Sequence, residues 1–301
     1  MKRFLTYILL LLPLAAMAQT HELVFDTVSS QQRVEMRQVA TFSYKLPKHF
    51  SLGLEEELRS VVYSPSDGAF FSKSYTSIDL GYKLHSHQSL RTGYEYGLKL
   101  NVGYTLKFDA KDLADNRAKG LEGNLLAAEC IQHRPFASLT GSIEMGNWKL
   151  SLKETYRINF RTDSVKVVDK WNPEIVVNEK NPCLMELKSK VKLDYSLPGK
   201  PMKLFCFGEA TATLNEQTCP WKDKEGEPFY GGQYLRSAKA SVGMRWKIDK
   251  HNALSLSYLY YFKQDRDINI TGRNSSKRQN VELTWEQTHT HAIVLEYELG
   301  Y

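Results

Sequence analysis

The sequence predicts an all-β fold, a single antiparallel transmembrane β-barrel of about twelve strands, with ten to fourteen also fitting the pattern. Three observations lead there. Apolar and polar residues alternate with a period of two along nearly the whole chain, no helical period of comparable length interrupts them, and the links between alternating segments are short and long by turns. Of 301 residues, 42% are hydrophobic and 25% charged, which is too apolar for a disordered chain. The 40 basic and 34 acidic residues are interspersed, so the net charge of +6 is no nucleic-acid footprint and no nucleic-acid partner is expected. After the leader no apolar run approaches the ~18 residues of a membrane helix, a test that strands escape because their alternation averages to hydrophilic.

The first element is an export signal over residues 1–18. Lys2 and Arg3 form its positive start, Ile8 to Leu14 its apolar centre, and Ala16-Met17-Ala18 its small-residue cleavage site before Gln19. The remaining residues, 19–301, read as one outer-membrane barrel domain without a plug or internal repeat, and no lipidation cysteine follows the cleavage site.

Eleven strands count from Val34 onward. An antiparallel ring whose two ends lie on one side needs an even number, so the short segment Glu22 to Val28 is expected to be the twelfth. The clearest alternation runs from Leu90 to Phe108, with Thr92, Tyr94, Tyr96, Leu98, Leu100, Val102, Tyr104 and Leu106 on one face. Arg91, Glu95 and Lys99 lie on the other. Glu56, between Leu54 and Leu58, interrupts an otherwise apolar face. Phase carries Leu121 to Met145 past Pro135 as one strand, which an edge or rim position tolerates. Trp148 to Phe160 and Ala238 to Ile248 repeat the two-faced pattern. Short turns are expected at Pro47 to His49, His85 to Gln88, Gly146-Asn147, Pro198 to Pro201 and Asp249 to Asn252. Longer links fall at Ser64 to Lys73, Asp109 to Gly120, Thr162 to Cys183, Asn215 to Gln233 and Gln264 to Ser276. That asymmetry is the one seen in outer-membrane barrels, whose short turns are periplasmic.

The closing segment is the most specific. Val281, Leu283, Trp285, Ile293, Leu295, Tyr297, Leu299 and Tyr301 keep one parity through Thr288-His289-Thr290, so a single long strand is expected there. Its end, Ile293, Leu295, Tyr297, Leu299 and the aromatic Tyr301, resembles the C-terminal signal by which barrel-assembly machinery recognises its substrates. The expected partners are therefore that machinery and outer-membrane lipid.

Chemistry is expected inside. Glu55, Glu57, Arg59, Arg91, Glu95, Lys99, Lys149, Lys153, Arg157 and Arg245 fall on the polar faces and are candidates for the lumen, where they would either brace the barrel or line a narrow pore with anion preference. Pairing about Pro198-Gly199 brings Cys183 near Cys219, compatible with a disulfide and equally with reduced thiols packed as small hydrophobes. No catalytic constellation stands out, and no cofactor or metal is expected. His87-Gln88-Ser89 superficially resembles the His-x-Ser of outer-membrane phospholipase A, but Leu90 follows where that motif needs Asn. His85 with His87, and His289 with His291, share faces yet supply only two metal ligands each. The competing class is an outer-membrane lipid hydrolase or protease.

Four stretches carry a family resemblance: Phe42-Ser43-Tyr44-Lys45-Leu46-Pro47, Leu52 to Arg59, Leu80-Gly81-Tyr82-Lys83-Leu84, and Leu90 to Tyr96. With the later echo Leu254 to Phe262 and the final strand, they resemble the outer-membrane barrel family catalogued as domain of unknown function number 2490, common in bacteroidete-type Gram-negative bacteria. The resemblance covers most of the chain after the leader. It implies an outer-membrane barrel and supplies no catalytic residues.

Overall fold

A computed structural model describes residues 27–65, 70–88, 94–110, 131–161, 166–168, 176–179, 183–215, 218–222, 228–230, 234–271 and 280–300. The first six strands are β1 (Thr27–Lys45), β2 (Phe50–Tyr63), β3 (Phe70–Gln88), β4 (Tyr94–Asp109), β5 (Ile131–Met145) and β6 (Trp148–Arg161). A small hairpin, β7 (Lys166–Val168) with β8 (Val176–Glu179), precedes β9 (Cys183–Ser196) and β10 (Met202–Thr213). A second hairpin, β11 (Thr218–Lys222) with β12 (Pro228–Tyr230), precedes β13 (Tyr234–Lys247), β14 (Asn252–Thr271) and β15 (Asn280–Gly300). The hairpins sit in two of the long links. The other eleven strands close one mixed barrel in the order β1-β15-β14-β13-β10-β9-β6-β5-β4-β3-β2.

Strand number and closure differ from the expectation of a twelve-stranded, wholly antiparallel ring. Val28 is not the end of a separate strand; it lies in β1, which runs unbroken from Thr27 to Lys45. Residues 22–26 of the expected twelfth strand lie outside the described residues. β1 pairs in parallel with β15, from Thr27↔Thr284 to Ser43↔Gly300, and the other ring pairings are antiparallel. Evenly spaced, slanted hydrogen bonds replace the alternating pairs of an antiparallel seam there.

Phase reads strand continuity correctly in two places. β15 is one strand through Thr288-His289-Thr290, and β5 passes through Pro135 without ending, although residues 121–130 of the expected strand lie outside the described residues. The polar run His85 to Gln88 is strand rather than turn: its backbone pairs with Leu98 to Glu95, so the expected turn gives way to a link at 89–93, outside the described residues. The other tight links gather at one end, the turn rim. At Pro198-Gly199, Lys200 N–H donates to the Leu197 carbonyl at 3.1 Å, and Gly199 at φ 68° supplies the positive φ of a type II turn with proline before it. The long links gather at the opposite, loop rim, but two are shorter than expected: Phe70 to Lys73 belong to β3, and Gln264 to Thr271 belong to β14, paired with β15.

Apolar and polar surface are distributed inside out. Among the described residues, the buried hydrophobic side chains are Val61, Ala253, Leu259 and Ala292, all small or medium-sized, whereas the buried polar set is far longer and includes Glu35, Arg37, Lys107, Asp109, Glu186 and Glu209. Exposed leucines, isoleucines and valines girdle the outside: Leu54, Ile78, Leu80, Val102, Leu139, Val191, Leu204, Val242, Leu256, Ile293 and Leu295. At the turn rim this band meets aromatic rings, with Phe50 4.8 Å from Tyr82 and Trp148 4.5 Å from Tyr195, centroid to centroid. Because successive residues point to opposite faces, each outward leucine fixes an inward polar neighbour.

Candidate functional site: the lumen

Inward glycines make room for inward side chains of neighbouring strands. A Cβ on Gly103 would come 2.6 Å from Phe136 Cζ, and one on Gly243 would come 2.8 Å from Phe205 Cζ. Gly53 lies under Asp79, and Gly81 under Lys99. Both phenylalanines consequently reach a lumen cavity of about 370 Å³, lined by charges on most of the strands around the ring.

On the loop-rim side of that cavity, four carboxylates each bridge two cations. Glu57 binds Arg59 at 2.7 Å and Arg37 at 3.7 Å; Asp109 binds Lys107 at 2.8 Å and Lys73 at 3.0 Å. Glu186 pairs with Arg157 and, at 2.6 Å, with Arg236, while Glu209 pairs with Lys239 at 2.7 Å and Lys188 at 3.4 Å. Glu35 adds a 2.8 Å bond to Arg37. Two tyrosine rings join the clusters. Arg59 lies 4.3 Å over Tyr75, which Arg134 meets at 5.5 Å, and Tyr261 is flanked by Arg37 at 5.5 Å and Lys239 at 5.3 Å. A network of charges and rings thus runs around the loop-rim half.

Toward the turn rim the pairs are wetter. Lys149 and Glu144 are 41% and 42% exposed, and Arg245 and Glu298 36% and 27%, against 3% for Glu186 and for Arg37 above. Several nearby inward positions are small, among them Ser51, Gly53, Gly81, Gly97, Ser142, Ser151, Gly243 and Ser255, between longer ones such as Lys99 and Lys192.

Of the residues expected in the lumen, Glu55, Glu57, Arg59, Lys153 and Arg157 line the cavity. Lys99 lies over Gly81, and Lys149 and Arg245 form the turn-rim pairs just given. Glu95 is an exposed residue of β4, and Arg91 lies outside the described residues. Sequence reading missed Glu186, Lys188, Lys190 and Glu209, although Lys188, Lys190, Lys192 and Asp194 alternate with Leu187, Ser189, Val191 and Leu193 as plainly as any segment chosen. It also missed Glu154, an outward acid whose carboxylate accepts a 2.5 Å hydrogen bond from Ser189 Oγ.

In the last strand Ile293, Leu295 and Tyr297 are exposed on the outer face, with Leu299 two residues on; Tyr301 lies outside the described residues. Cys183 begins β9, and Cys219 falls in β11 with its side chain outside the described residues, so the pairing is not defined. The same holds for the side chains of His85 and His87, and for Ser89 altogether. His291 Nδ1 is 2.5 Å from Tyr258 Oη, and His289 Nδ1 is 2.7 Å from Tyr260 Oη; no group of three or more metal-ligating side chains occurs among the described residues. No family model and no curated protein matches the chain.

Proposed function

We propose that this chain is an exported outer-membrane β-barrel without enzymatic activity, whose lumen is a chamber closed toward the loop rim and open toward the periplasmic turn rim. The inside-out distribution of polarity carries the membrane reading. A continuous apolar girdle with aromatic rings at its border is unfavourable in water and matched to lipid, while buried charges satisfied by one another suit a solvated or ion-paired interior. The leader at 1–18, the motif ending in Tyr301 and the resemblance to domain of unknown function number 2490 support the same reading. The gradient of exposure among the ion pairs supports closure on one side.

Two measurements test it. The protein should fractionate with outer membranes and begin at Gln19; recovery from the soluble periplasm would refute the address. In a planar bilayer the purified barrel should carry no steady current, because shared carboxylates and tyrosines fill the loop-rim half. A stable anion-selective current abolished by Lys149→Glu, Lys153→Glu and Arg157→Glu would instead make it a pore.

A further inference from the structure

The cavity carries charges of opposite sign on opposite walls. Glu55 on β2 and Glu296 on β15 flank β1, whose Thr41 faces Glu55 in register and donates a 3.4 Å hydrogen bond to Glu296. Lys153 on β6 and Lys190 on β9 are direct cross-strand partners, a like-charge juxtaposition. Glu209 on β10 faces Lys190 from the other side, but its carboxylate is already held by Lys239 and Lys188. Around the ring, β3, β4 and β5 separate the acidic wall from the basic one on one side, and β10, β13 and β14 separate them on the other. The walls therefore face each other across the lumen. Among the described residues no ion pair joins Glu55, Glu296, Lys153 or Lys190 to a side chain of opposite charge, whereas Glu57, Asp109, Glu186 and Glu209 each serve two cations.

We propose that the chamber binds a small solute bearing both charges, its anionic end on Lys153 and Lys190 and its cationic end on Glu55 and Glu296. This rests on the proposed opening of the chamber at the turn rim. Eleven strands spaced ~4.8 Å apart and tilted ~40° enclose a backbone ring about 22 Å across. Lysine and glutamate side chains reaching in from either wall leave on the order of 10 Å between opposed charged groups, a span that a flexible peptide of up to about three residues bridges with a hydrogen bond at each end. The Lys190 ammonium lies 3.9 Å from the Phe207 ring centroid, and the Phe205 ring reaches the same cavity, so apolar floor lies beside the anionic end. The transverse arrangement favours an amphoteric chain over a simple anion or cation, because each single-charged solute leaves one wall unneutralised.

Triglycine is the probe, compared by titration calorimetry with its N-acetylated form, which lacks the ammonium, and its C-terminal amide, which lacks the carboxylate. The wild-type barrel in detergent should bind triglycine saturably and each blocked form roughly tenfold or more weakly. Lys153→Met with Lys190→Met should abolish the preference for triglycine over its amide, and Glu55→Gln with Glu296→Gln the preference over the acetylated form. The wild-type comparison is decisive even where a variant fails to fold. Acetylated peptide binding as well as triglycine would overturn the proposal in favour of a plain anion site. A Ser257→Cys thiol labelled from solution, read by peptide mass spectrometry, shows the chamber open; absence of triglycine binding in that open chamber overturns the dipolar site alone. An unlabelled Ser257→Cys thiol overturns the open-chamber reading and the site with it.

Discussion

Glu56 and Thr76 sit directly opposite each other on the outer faces of β2 and β3, and the Thr76 hydroxyl donates a 2.5 Å hydrogen bond to the Glu56 carboxylate. The same arrangement recurs where Ser189 donates to Glu154. An acid in an apolar girdle is costly, and a hydroxyl beside it meets part of its hydrogen-bonding need. Thr76→Val should therefore lower barrel stability by about 1–3 kcal/mol, while Glu56→Leu should leave it unchanged or raise it. Urea unfolding in lipid vesicles measures both; a stabilised Thr76→Val variant would show that the hydroxyl contributes nothing.

Leu152 and Lys153 test the assignment of faces by one step along β6. Lys153 lines the cavity, so Leu152 points outward. Leu152→Arg places a charge in the girdle at a cost on the order of 2–4 kcal/mol, whereas Lys153→Leu removes one member of a like-charged pair. The folded fraction, read by heat-modifiable mobility on gels, should fall far more for Leu152→Arg. The reverse order would invert the faces.

The shared carboxylates should be the most sensitive positions in the lumen. Glu186→Ala removes the anion that holds Arg157 and Arg236, and breaking a buried pair of this kind costs about 3–5 kcal/mol. Lys149→Ala at the exposed turn-rim pair should cost about 0–1 kcal/mol. Unfolding midpoints of equal size for the two variants would contradict the burial gradient.

At the turn rim, Asp249 is held below the ordinary aspartate value of 3.8, first by the Asn252 side-chain amide at 2.7 Å and then by the N–H groups of His251 and Asn252 at 2.6 and 2.8 Å. A depressed folded value means that this turn stabilises the protein above pH 3.8 and loses its contribution as pH falls through the lower folded value. The stability difference between wild type and Asp249→Ala should stay constant near neutrality and shrink in acid. Equilibrium unfolding across that range checks it, and a difference that grows in acid would reverse the sign.

Faces and strand continuity were legible in the sequence because both are local. The parity that carries Leu283 and Trp285 into Ile293 and Leu295 depends on nothing beyond β15 itself, and the position of Pro135 inside β5 follows from the same rule. What proved illegible depends on strands far apart in the chain. That Glu186 serves both Arg157 and Arg236 requires β6, β9 and β13 to be brought around one ring, and no spacing in the sequence encodes it. The end of β3 was misread for another reason. His85 to Gln88 look like a turn by composition, yet backbone bonds to β4 hold a strand together without any apolar side chain.

The parallel seam between β1 and β15 has a bearing on how the chain crosses its boundary. Both strands run from the loop rim to the turn rim, so Thr27 and Gly300 stand at opposite mouths of the barrel rather than side by side. Eleven crossings make an odd tally, and in a membrane the polypeptide leading into Thr27 starts from the far side. In the outer-membrane arrangement proposed above, assembly passes that leading segment outward along with the long links, while the C-terminal end stays behind. An epitope inserted before Thr27 should be reached by antibody on intact cells, and one placed after Gly300 only once the outer membrane is breached.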